Sequence, residues 1–205
     1  MKIRYFDLGL HKGVELYDMQ KFLPTITDNF ECYGFEAAPS HYNNYCKKYS
    51  NEKTKIYNVA VTDKHNSFVN LYFAQNQVGH TIHSTKNNVS KDKFWKIPTI
   101  KFSEWLKDNN IDLKDSLNIV KINIEGAEWE FFNDIIDSDN NKYIHIYCGA
   151  GHDVEKIKKF VDEGIVDKYY ELLKINNINL HRWCLTWKLD RNADIHQMIK
   201  NKYKI

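Results

Sequence analysis

Two periodicities alternate along the chain. Short runs rich in β-branched and aromatic residues are separated by stretches in which apolar residues recur three and four apart, the spacings of a buried strand and of a helix that covers it. The first run, residues 3–8, ends in Asp7-Leu8-Gly9, and a helix over 12–23 then presents Leu16, Met19 and Leu23 on one face. A second strand, 31–36, ends on Glu36 before Ala37-Ala38-Pro39. Ser40 opens a helix whose Tyr42, Tyr45, Cys46 and Tyr49 fall at i, i+3, i+4 and i+7. Strands follow at 55–61 and 67–74, the latter as a hairpin-like insertion. The next stretch, 75–93, has little periodicity and contains Gly79-His80-Thr81-Ile82-His83; a segment of that kind reads as a substrate-facing loop.

Ile97-Pro98-Thr99-Ile100 is a short extended piece whose proline marks an edge or a strand start. Ser103 is expected to cap a helix running to Asp108. Residues 117–124 form a near-continuous apolar run, as a central parallel strand should, and lead into Glu125-Gly126-Ala127-Glu128 and a helix with Phe131, Phe132, Ile135 and Ile136 inward. A strand at 143–148 precedes a helix begun at Asp153 and stopped by Gly164. Strands at 170–175 and 180–187 flank a turn-rich link and predict a C-terminal antiparallel hairpin, after which a short basic helix ends the chain. The alternation predicts an α/β fold: a doubly wound, mostly parallel sheet with helices on both faces, in a single domain over 1–205. Ligands of such sheets bind beyond the carboxyl ends of the strands, where strand order reverses. If strands 3–8 and 117–124 are neighbours, the turn at 9–13 and the tip Asn123-Ile124-Glu125-Gly126 face one crevice.

Composition narrows the reading. A length of 205 residues suits one well-cored domain, and 42% hydrophobic with 27% charged residues is ordinary for a globular chain. A formal charge of +2 argues against a nucleic-acid binder that relies on neutralising phosphates. Cys32, Cys46, Cys148 and Cys184 are scattered, without Cys-x-x-Cys spacing, so reduced thiols in a cytoplasmic compartment are expected rather than disulfides or zinc. No apolar run approaches the ~18 residues of a membrane span, and Asp7 and Gly9 interrupt the one candidate for a signal segment.

The candidate chemistry starts at Asp7-x-Gly9-x-x-x-Gly13, which lacks the lysine of a phosphate loop and the third glycine of a dinucleotide fingerprint. Paired glycines let backbone approach a nucleotide-like ligand closely, and equally suit a strand-to-helix turn that needs glycine for its own sake. Glu36, at the tip of the second strand, is placed to accept hydrogen bonds from ribose hydroxyls, or is a surface glutamate at a strand end. His80 and His83 are two ligands at most, so no metal is assigned. Trp95, Trp129, Trp183 and Trp187 either pack in the core or offer flat faces to a sugar. His145 and His181 read as structural, and Lys121 inside a buried strand must reach the crevice or an acid.

Taken together, Phe6-Asp7-Leu8-Gly9-Leu10-His11-Lys12-Gly13, Phe35-Glu36-Ala37-Ala38-Pro39, Asn58-Val59-Ala60-Val61 and Val120-Lys121-Ile122-Asn123-Ile124-Glu125-Gly126-Ala127-Glu128 resemble the ordered motifs of FkbM-type methyltransferases over about residues 5–136. The resemblance implies the class I methyltransferase Rossmann-like fold with a seven-stranded sheet. It also implies an S-adenosyl-L-methionine-dependent O-methyltransferase acting on a saccharide hydroxyl, with a small natural product or a catalytically inactive glycan-binding or assembly module as alternatives. By the same resemblance Asp7, Gly9 and Gly13 line the methionine end of the cofactor, Glu36 holds the ribose, and Ala60 and Val61 border the adenine. Asn123 stands where the family usually has an acid, and its amide can still orient a hydroxyl. A sugar hydroxyl needs a base, and Glu125, Glu128, His80, His83, His152 and Asp153 are the candidates at the ligand edge. Leu10, His11 and Cys148 also depart from the family pattern. The first strand begins almost at Met1, so another domain, another subunit or the 75–93 loop is expected to cover the cofactor.

Overall fold

A computed structural model describes residues 1–75, 78–185 and 192–204. In chain order the elements of its first half are β1 (Lys2–Leu8), α1 (Val14–Phe22), β2 (Phe30–Phe35), α2 (Pro39–His41), β3 (Thr54–Tyr57), β4 (Ala60–Val61), β5 (Ser67–Ala74), β6 (Val89–Ile100) and α3 (Phe102–Asp108). The second half adds β7 (Ser116–Ile122), α4 (Glu128–Asp137), β8 (Ile144–Gly149), α5 (Lys158–Asp162), α6 (Ile165–Ile175), β9 (Leu180–Arg182) and α7 (Ile195–Tyr203). Among the described residues, no helix is long and apolar enough to cross a membrane.

The main sheet has the order β3-β2-β1-β7-β8-β9 with every pair parallel. β1 and β7 are buried along almost their whole length, which is why their sequences are nearly unbroken apolar runs. Their side chains alternate between two cores. Phe6, Leu8, Val120 and Ile122 pack with Phe102, Phe131, Phe132 and Tyr169 from α3, α4 and α6. Ile3, Tyr5, Leu117 and Ile119 pack with Leu16 and Met19 from α1 and Ile195 and Ile199 from α7. Helices on both faces of a parallel sheet place its switch point between β1 and β7, as expected if those strands are neighbours.

Several expectations are corrected. Residues 170–175 are helical: they lie in α6, where Ile165, Val166, Tyr169, Leu172 and Leu173 form a helical stripe against the core. Six residues taken alone do not distinguish that stripe from a strand. The C-terminal hairpin therefore does not form with them, and β9 instead pairs parallel to β8. Of the strand expected at 180–187, residues 180–182 are extended, and 186 and 187, with Trp187, lie outside the described residues. Among the described residues the main sheet has six strands rather than seven. The run at 55–61 is split, β3 joining the main sheet and β4 a three-stranded sheet of order β4-β6-β5. β6 begins at Val89, which shortens the aperiodic loop. Ser103 is not the cap of α3: Lys101 holds that position, and Ser103 gives both its backbone N–H and its hydroxyl to the buried Asp134 carboxylate.

Candidate functional site

The carboxyl tips of β1, β2 and β7 are drawn together by backbone hydrogen bonds. Gly9 and Leu10 donate to the Phe35 carbonyl at 3.0 and 3.2 Å, and Asn123 donates to the Leu8 carbonyl at 2.8 Å. Gly9 has φ +89°, and a Cβ there would stand 1.9 Å from the Asn123 carbonyl oxygen, so this residue must be glycine on both counts. Above the tips opens a cleft of about 840 Å³, counted out to its mouth.

Glu36 closes one side. Its buried carboxylate accepts from the His11 N–H at 2.7 Å and the Ala38 N–H at 2.8 Å, one bond per oxygen. The turn behind it is held by Asn58, whose amide donates to the carbonyls of Glu36 and Ala37. A carboxylate oxygen has two acceptor directions, so each keeps one for a ligand in the cleft that Glu36 lines. The adjoining wall is apolar and made of small residues, Val59, Ala60 and Val61, with Leu71 beside them.

Of the residues expected at the methionine end, only Gly9 lines the cleft. Asp7 is fully buried beneath the floor, where it accepts from the Tyr5 hydroxyl at 3.0 Å and faces the Lys121 ammonium at 2.9 Å. Burial raises the Asp7 carboxyl and Lys121 lowers it, with a net upward shift. Burial opposes the Lys121 charge, but Asp7 more than restores it and holds the ammonium above the usual lysine range. Lys121 also donates to the Gly9 carbonyl at 2.6 Å and lines the cleft, so it reaches both the acid and the crevice. Gly13 lies outside the lining. It precedes α1 at φ +72°, and a Cβ on it would meet the Tyr49 ring at 2.8 Å.

Three histidines stand along the rim. The ring centroids of His11 and His41 are 4.9 Å apart, those of His41 and His80 5.5 Å, and the His41 Nδ1 is 3.8 Å from Glu36. His80 Nδ1 accepts the Ala74 N–H at 3.0 Å. In the neutral ring that bond puts the proton on Nε2, and burial, reinforced by His41, lowers the His80 pKa. His80 thus lines the cleft with Nδ1 already engaged by the backbone. His11 and His41 were not among the candidates; their one sequence signal was proximity to the glycine turn and to Pro39.

Glu125 adopts φ +60° and lines the cleft. The Lys86 ammonium, itself buried, bonds Glu125, lies 3.0 Å from Asp153 and donates to the Gly79 carbonyl at 3.3 Å. Burial, with Asp153 alongside, pushes Glu125 up to about 8. Burial opposes ionisation of Asp153 too, but its bond with Glu125 and the cations Lys86 and Lys156 hold it well below the carboxylate range. Two acids thus face one buried ammonium, and Glu125, which burial disfavours as an anion, is the one raised above the usual carboxylate range. Asp153 stands behind Glu125, outside the cleft lining. Glu128 is fully buried and clamps the same loop, accepting from the N–H groups of Ile124 and Gly126, and burial raises it to about 7.

His83 turns away from the cleft, 3.4 Å from Glu130 and packed on Phe160. His152 lies at the surface beside the Tyr170 hydroxyl. Glu36, Ala60, Val61, His80, Asn123 and Glu125 therefore meet at one cleft with Gly9, whereas Asp7, Gly13, His83, His152 and Asp153 do not line it. Among the described residues no three His, Cys, Asp or Glu side chains are grouped so as to hold a metal ion. No family model, curated protein or solved structure matches the chain.

Proposed function

We propose that the chain is an S-adenosylmethionine-dependent O-methyltransferase acting on a saccharide hydroxyl. The observation that carries the reading is the placement of Glu36. A buried carboxylate with one free acceptor direction on each oxygen stands at the tip of β2, across the Gly9 turn from the switch point of a parallel sheet. The other residues fit the same cofactor. Small apolar groups, Ala60 and Val61, make a wall suited to adenine, and Glu36 suits the vicinal hydroxyls of a ribose. The carboxylates of Glu15 and Glu36 line the cleft and favour a cation such as the sulfonium.

When bound, that cofactor supplies an electrophilic methyl group, so the protein has to align an acceptor oxygen and take its proton. Among the candidate bases that line the cleft, Glu125 has the matched acidity. A carboxyl near 8 holds the proton at neutral pH in most molecules and serves as a base in a fraction that grows as pH rises. His80 Nε2–H donates to the acceptor and orients it. The loop residues Val78, Gly79, His80 and Ile82 line the cleft and act as its cover. The buried thiols of Cys32, Cys46 and Cys148 suit a reducing, cytoplasmic compartment.

Calorimetry with S-adenosylmethionine and S-adenosylhomocysteine tests the reading on the wild type and on Glu36→Gln. Micromolar binding that weakens about tenfold or more in a folded variant is expected, as for loss of a charged hydrogen-bond acceptor. Methyl transfer from labelled cofactor to a panel of sugars then identifies the acceptor. No binding of either nucleoside to the folded wild type rejects the enzyme in favour of a binding or assembly module.

A further inference from the structure

Lys121 is 2% exposed, yet it is part of the cleft floor. A buried ammonium has three N–H bonds to satisfy. The Gly9 carbonyl takes one at 2.6 Å, and Asp7 Oδ1 at 2.9 Å is an ion-pair partner whose angle is not that of a directed hydrogen bond. Among the described residues no third acceptor reaches Nζ, and Lys121 borders the cleft. Burying a cation with a donor unsatisfied is unfavourable, and an anionic ligand oxygen relieves it. The neighbours narrow the ligand further. Lys121 adjoins the Gly9 turn, and Glu15, one of whose oxygens accepts the Leu185 N–H at 2.7 Å, lines the same cleft with a carboxylate.

We propose that Lys121 binds the carboxylate of an α-amino-acid tail, with Glu15 providing the countercharge for the tail's ammonium. This inference rests on the cofactor reading above and gives the methionine end of the site its anchor. Asp7 then acts through Lys121, as a positioning residue that keeps the ammonium charged and in place beneath the cleft, without touching the ligand.

Three adenosine thioethers separate the possibilities by calorimetry: S-adenosylhomocysteine, its decarboxylated amine, and 5′-methylthioadenosine, which lacks the whole tail. The wild type is expected to bind the first at least about tenfold tighter than either of the others, the ratio of a charge-assisted hydrogen bond. In Asp7→Leu/Lys121→Met, which replaces the buried pair by apolar side chains, that preference should fall to about twofold, with 5′-methylthioadenosine binding unchanged. Equal binding of S-adenosylhomocysteine and its decarboxylated amine by the wild type overturns the proposal, and needs no variant that folds. A preference that survives in the double variant, or equal weakening of all three ligands, also overturns it, since a purely structural role would act on the shared adenosine moiety. Binding of 5′-methylthioadenosine with no preference for the tail leaves the nucleoside site standing and removes only Lys121's role. Failure of all three to bind removes the cofactor reading and this inference together.

Discussion

The Asn123 carbonyl oxygen occupies the space in which a Cβ on Gly9 would sit, 1.9 Å from it, so the tips of β1 and β7 approach as closely as backbone allows. Gly9→Ala must both strain a backbone at φ +89° and push those tips apart. The expected loss is about 2–4 kcal/mol of stability, the sum of a positive-φ penalty and an overpacking penalty. Urea denaturation of the variant reads it directly, and a loss under about 0.5 kcal/mol would show that the tips can separate freely.

Asp7 and Lys121 should be worth little as a pair and much as partners. Lys121→Met leaves a buried carboxylate without its cation and is expected to cost about 3–5 kcal/mol, whereas Asp7→Leu/Lys121→Met should recover most of that. A double-mutant cycle by chemical denaturation measures the coupling. Additive costs would mean that the 2.9 Å contact carries no interaction energy.

Stability should peak in mildly acidic solution. Burial raises Glu128 to about 7 and Glu130 to about 8 from an ordinary 4.5. The unfolded chain therefore releases these protons first, and stability falls as pH rises from about 4.5 to 8. Burial lowers His83 to about 4 from 6.5, so the unfolded chain binds that proton first and stability also falls from pH 6.5 towards 4. Glu130→Gln removes one of the titrating carboxyls and should flatten the alkaline limb by about 1–3 kcal/mol. Thermal melts of both proteins between pH 4.5 and 8.5 decide it, and parallel curves would count against a neutral Glu130.

Lys86 fastens the loop over the cleft to Glu125 and Asp153. Lys86→Met leaves two buried acids facing each other, and the loop should release them to water rather than the whole domain unfold. Hydrogen exchange is expected to accelerate at least tenfold at the amides of Thr81 and Lys86, which are now hydrogen-bonded, and to change little in β1 and β7. Uniform acceleration would show that the triad stabilises the domain as a unit.

What the sequence determined by itself was the frame of the site. Unbroken apolar runs identified β1 and β7 as central strands, and an acid at the tip of β2 marked Glu36, because burial on two faces leaves a local trace in residue type. Helix or strand at 170–175 needed the longer window of α6, where packing against Phe132 reveals the period. Tertiary structure alone decided the charges. Asp7 stands next to the glycine turn in the chain, yet its carboxylate turns under the floor to meet Lys121, while Glu125 is pushed up by burial beside Asp153 and opposed by Lys86, both from distant segments. Hydrophobic periodicity is set by neighbours in the chain, whereas an ion pair and a shifted pKa depend on which side chains share a buried volume, and that is established only when the sheet closes.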